Sequence, residues 1–193
     1  DALDVAASNL ISRAAQLGLS ISISRTEGAG LEGVRHRAIS ALIAAASGSS
    51  REPAWTEMAA LEQRAMQRRG FTHSGVEFAA SDTEIVLQRE PGAVLGRADG
   101  APALAPLPLA ANIEAIWDGR LGITAQTPGW RVVPLRNREL VVFENGLVQK
   151  RYREAGAAIA VDEFLQARWP GYRTALERAL PGAFAQAVAD AGT

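Results

Sequence analysis

Apolar positions recur at helical spacing over the first seventy residues and switch to alternation after Gly70. Leu3, Ala6, Leu10, Ala14 and Leu17 mark a first helix from Ala2 to Leu17, with Gly18 as its stop. The stretch LSISIS, Leu19 to Ser24, alternates strictly and predicts a strand with Leu19, Ile21 and Ile23 on one face. Val34, Ala38, Leu42 and Ala46 form the stripe of a second helix, Leu31 to Ser47, closed by Gly48. Pro53 opens a third helix that runs to Arg69, with Trp55, Met58, Leu61 and Ala65 pointing inward.

After Gly70 the period is that of strands. Thr72–Phe78 and Thr83–Arg89 predict a hairpin, followed by a Gly-, Pro- and Ala-rich stretch, residues 90–110, that reads as a long crossing loop. Asn112–Trp117 and Arg120–Gln126 flank the dipeptide DG, Trp130–Leu135 follows, and Glu139–Glu144 pairs with Leu147–Tyr152 across NG. Helical spacing returns in Val161–Arg168, Tyr172–Leu180 and Gly182–Ala189, with Pro170 and Pro181 opening new segments. The expected class is α+β: an N-terminal helical part, residues 1–70, then a β-rich domain, residues 71–193, that ends in helices.

At 193 residues and 48% apolar composition the chain can bury a real core. No apolar run approaches the roughly 20 residues that span a bilayer, so no membrane partner is expected. There are no cysteines, which excludes disulfides, thiolate metal sites and cysteine nucleophiles and fits a cytoplasmic protein. The chain opens at Asp1, without methionine and already helical in pattern, so the expectation is a portion of a longer protein.

Candidate chemistry is sparse. His36 lies between Arg35 and Arg37 on a helix and His73 lies at a strand start, and neither has a base, nucleophile or metal partner at a recognisable spacing. Asp162-Glu163 reads as a pair of dipole partners at a helix start. SGSS, Ser47 to Ser50, follows a helix instead of a strand and has no lysine nearby, so it reads as a C-cap and not a phosphate loop; EGAGLEG, Glu27 to Gly33, has three glycines but does not stand behind a credible strand of a βαβ unit, so it is not read as a dinucleotide-binding loop. No catalytic residue, metal ligand or cofactor site follows from the residues.

Charge adds one feature. Between Trp130 and Arg153, six basic residues (Arg131, Arg136, Arg138, Lys150, Arg151 and Arg153) face only Glu139 and Glu144, a local balance of +4 in a chain of net charge −1. With Trp130 and Tyr152 nearby, this is the combination of guanidinium groups and stacking rings used by RNA-tracking surfaces. A solvated sheet face has the same appearance. Lys150 is the single lysine among 20 basic residues, a bias that a GC-rich genome also explains.

Between Leu31 and Ile123 the order of signals resembles the C-terminal region of bacterial tRNA(Ile)-lysidine synthases, especially alphaproteobacterial forms. There a stretch like T-L-G-G enters a hairpin, R-E leaves it, and W-D-G-R opens the next strand pair. The matching residues are Thr72, Ser74 and Gly75, then Arg89 and Glu90, then Trp117, Asp118, Gly119 and Arg120. His73-Ser74 stands where the pattern has Leu-Gly. The resemblance implies a ligase that uses ATP and Mg²⁺ to adenylate the wobble cytidine of an isoleucine tRNA, after which lysine displaces AMP. The S-G-G-x-D-S signature of the catalytic domain is absent, so ATP and Mg²⁺ would belong to a domain outside this chain, and no catalytic residue carries over. What remains by resemblance is tRNA recognition, with the six basic residues as the expected contacts. The residues leave open a homodimer, a protein-interaction module without RNA, and a small standalone enzyme.

Overall fold

The computed structural model describes residues 2–11, 15–17, 20–26, 29–49, 51–67, 70–134, 140–146, 148–153 and 165–168. The fold is α+β, and the described residues form three antiparallel sheets and a helical layer. Helix α1 (Ala2–Ile11) is followed by β1 (Ala15–Leu17), β2 (Ser20–Ser24), α2 (Glu32–Ser47) and α3 (Trp55–Met66). Strands β3 (Phe71–His73), β4 (Val76–Ala80) and β5 (Glu84–Arg89) complete a five-stranded sheet in the order β1-β2-β5-β4-β3. Strands from both sides of Gly70 thus share one sheet.

Alternation explains its buried face. Ile23, Val76, Phe78, Ile85 and Leu87 are all buried, and the register sets Ile23 beside Ile85 and Phe78 beside Leu87. Helix α2 packs across β2, β4 and β5 and lies between α1 and α3. It is buried from Ala38 to Ser47 on nearly every side, and its many alanines and serines allow that close approach. One hydrophobic cluster joins these elements to Leu109 and, from the later sheets, to Trp117, Ile123, Ala125, Trp130 and Val132.

After the short helix α4 (Pro91–Leu95) and β6 (Leu107–Pro108) come β7 (Glu114–Trp117), β8 (Leu121–Ala125) and β9 (Trp130–Val133). Among the described residues the last strands are β10 (Leu140–Asn145), β11 (Val148–Arg153) and β12 (Leu165–Arg168). They form a four-stranded sheet, β11-β10-β9-β6, and a three-stranded one, β12-β8-β7.

Several expectations are corrected. The first helix ends at Ile11 and not at Leu17, because Ala15–Leu17 pairs with β2 and the Leu17–Ser20 pair closes a hairpin that a helix cannot make. The third helix starts at Trp55, and Trp55 itself is 52% exposed instead of inward, while Met58, Leu61 and Ala65 are buried as expected. The strand expected over Thr72–Phe78 is broken by a two-residue turn with Ser74 at φ 50° and Gly75 at φ 74°, the positive-φ pair that tight hairpins require.

The supposed crossing loop contains α4 and β6, and its Leu109 is buried. At the last hairpin Asn145 pairs with Val148, so Gly146, φ 58°, takes the first central turn position and Asn145 stays in the strand. Leu165–Arg168, expected as the end of a helix, is a strand on β8, whose open backbone edge outweighs local helical spacing. The helices expected at Tyr172–Leu180 and Gly182–Ala189 lie outside the described residues.

Candidate nucleic-acid interface

The four-stranded sheet carries most of the predicted contacts. Arg131 on β9 is exposed and lies opposite Glu144, which pairs onward with Gln149; Val133 leads through Val142 to Arg151. Directly paired positions share a face, and alternate positions along a strand do too. Positions 131, 151 and 153 therefore share one face, and position 144 adds an acidic residue to it. Position 150 falls on the opposite face, with Trp130 and Val132, both buried. Position 150 is thus on the other face of the sheet from positions 131, 151 and 153. Arg136 and Arg138 lie outside the described residues.

Trp130 is not a stacking surface. It is buried, and its indole Nε1 donates to Thr127 Oγ1 at 3.1 Å. Position 152 falls on the same face of the sheet as position 130.

Several of the residues that carry the family resemblance converge on one carboxylate, that of Asp118. The WDGR turn joins β7 to β8 with Asp118 at φ 53° and Gly119 at φ 65°, again a positive-φ pair. The Asp118 side chain is 2% exposed and accepts two hydrogen bonds from Arg89, from Nε at 3.0 Å and Nη2 at 2.7 Å. Arg120 Nε donates to the same carboxylate at 2.8 Å, from a side chain that is also buried. Arg89 Nη1 reaches back to the Gly75 carbonyl, and the Glu90 amide donates to that same oxygen at 2.9 Å. Glu90 in turn accepts from Arg97 at 2.5 Å. Two arginines share one buried carboxylate, and the group holds two hairpins together. Its hydrogen bonds run between neighbouring elements of the fold, as in a brace.

A second polar cluster was not legible as a site. The consecutive residues of the RHR stretch diverge around α2. Arg35 turns inward to Glu62 on α3 and to the Ser24 carbonyl, and His36 Nε2 lies 2.9 Å from the other oxygen of Glu62. Arg37 donates to Asp4 and to Glu52, each at 2.7 Å. Burial works against the Arg37 charge, but the hydrogen bond to Asp4 and the charge of Glu52 outweigh it and raise its pKa above the ordinary arginine value. Beside Arg35 and His36 lies a cavity of about 350 Å³ between the start of α2 and the outer side of α3. Sequence spacing could mark neither its walls nor the Arg35–Glu62 pair, which are 27 residues apart.

His73 Nε2 is 3.7 Å from Glu57 and belongs to neither cluster. Among the described residues no group of three or more His, Asp or Glu side chains could hold a metal ion, and no helix is long and apolar enough to cross a membrane. No protein-family model matches the chain, and no curated protein or solved structure matches it either.

Proposed function

We propose that this chain is the tRNA-recognition portion of a tRNA(Ile)-lysidine synthase, holding the isoleucine tRNA while another domain performs the ATP-dependent ligation of lysine to the wobble cytidine. The observation that carries the reading is the convergence of the family-like residues Gly75, Arg89, Glu90, Asp118 and Arg120 in one hydrogen-bonded brace, although they are scattered over 46 positions of sequence. Residues with a shared architectural task are what a fold-specific signature would consist of. The face defined by Arg131, Arg151 and Arg153 supplies the phosphate contacts, which position an RNA without reading its sequence. By the same resemblance, ATP and Mg²⁺ belong to the catalytic domain.

Titration of the chain with an unmodified isoleucine tRNA transcript tests this. Arg136→Glu and Arg151→Glu are each expected to weaken binding several-fold and to lower the slope of log affinity against log salt by about 1 per lost phosphate contact. The net charge of −1 favours the rival reading, a protein-interaction module, under which the chain ignores tRNA even at low salt.

A further inference from the structure

We propose that the cavity between α2 and α3 takes a single unpaired RNA nucleotide, its base stacked on Trp55; this rests on the RNA-binding reading and extends it to a second, base-contacting site. Helix α3 has two faces. Met58, Leu61 and Ala65 enter the core, whereas Trp55, Ala59, Glu62, Gln63 and Met66 recur at helical spacing on another side. The last four of these line the cavity, and Trp55 stands one turn before them, with its ring edge-on to His36 at 5.8 Å.

Trp55 leaves 52% of its surface exposed and Met66 39%. A large ring left half in water against His36, a wall residue of the cavity, is a ready stacking platform, and sequence-specific RNA recognition commonly stacks splayed bases on such rings while polar groups read their edges. Gln63 offers both an amide donor and an acceptor to such an edge.

Charge selects the base and not the phosphate. Arg25 and Arg35 are balanced by Glu32 and Glu62 among the walls. A free anion gains little there, whereas a neutral planar group with hydrogen-bonding edges suits both the ring and the polar floor. The volume of about 350 Å³ is at the small end of ligand cavities, which start at about 300 Å³.

The floor is also fixed in advance. Glu62 is held by Arg35 and His36, and Arg25 donates to the Met66 carbonyl at 2.5 Å and the Ser81 carbonyl at 2.6 Å. Little ordering remains to be done on binding.

The test uses the full chain with a fluorescein-labelled single-stranded RNA hexamer of mixed sequence and with the isoleucine tRNA transcript, read by anisotropy. Trp55→Ala is expected to weaken hexamer binding about tenfold, within the range that one stacked base contributes. Trp55→Phe should restore most of the loss, Gln63→Ala should cost a few-fold, and the salt slope should not change because no phosphate contact is removed. Both positions are exposed, so the variants should keep the wild-type melting temperature. Equal hexamer affinity for wild type and Trp55→Ala overturns the pocket; tRNA binding that still responds to Arg151→Glu would then leave the RNA reading standing. Failure of wild type to bind either RNA overturns both.

Discussion

Asp118→Ala is expected to destabilise the protein by about 3–5 kcal/mol, the cost of breaking a buried ion pair from one side. The carboxylate is 2% exposed and answers two guanidinium groups, those of Arg89 and Arg120. Alanine would leave both positive groups without their counter-charge, and the Arg120 side chain, 3% exposed, has no access to bulk water in compensation. Arg120 Nη1 already makes no hydrogen bond among the described residues, so the site has no spare acceptor. Urea unfolding measures the loss. Asp118→Asn keeps the volume and removes the charge, so it should retain only a minor part of the stability. Arg89→Met made on top of Asp118→Ala should cost less than in the wild type, because its partner is already gone. A loss under about 1 kcal/mol for Asp118→Ala would mean that the brace is not closed in solution. The expected consequence reaches beyond stability: the brace ties the end of β5 to the β7–β8 turn, and with it the placement of the later sheets against the helices.

Gly48→Ala should be nearly as damaging, at about 2–5 kcal/mol. Gly48 ends α2 in the left-handed region at φ 69°, and its amide donates to the Ala45 carbonyl. A side chain in that conformation costs about 1–2 kcal/mol. The larger part is contact: a Cβ there would lie 1.9 Å from the Asp118 carbonyl oxygen, which is backbone in a tight turn and has nowhere to go. The approach is mutual, since a Cβ on Gly119 would meet the Gly48 carbonyl oxygen at 2.1 Å. Relieving such overpacking adds about 1–3 kcal/mol. Gly146→Ala is the control, with φ 58° and nothing within 4 Å, so it should show the conformational cost alone. Equal losses in the two variants would mean that α2 and the WDGR turn do not touch.

Much of the architecture was readable in the residues. The second and third helices, the SISIS strand, the DG turn and the role of Gly48 as a C-cap follow from spacing and turn chemistry. The failures have physical causes. Ala15–Leu17 has helical neighbours, yet it is a strand because β2 offers a free edge. Leu165–Arg168 joins β8 for the same reason. Trp55 fits the apolar stripe of α3 but sits in its first turn, where the core no longer covers it. Of the expected basic patch, pairing register kept positions 131, 151 and 153 together and sent position 150 to the other side.

By itself the sequence determined the local elements, the turn geometries and the α+β class, because each depends on neighbours within a few residues and on the period at which apolar groups recur. It also marked Arg89, Asp118 and Arg120 as a motif without saying what they do. Only the tertiary structure decided that Arg89 meets Asp118 across 29 positions, that Gly48 presses on Gly119, and that Trp55 packs edge-on against His36 beside a cavity lined by Arg35, His36 and Glu62. Those contacts depend on how the whole core packs and on which surfaces it leaves within reach of one another, information that no short stretch of chain contains.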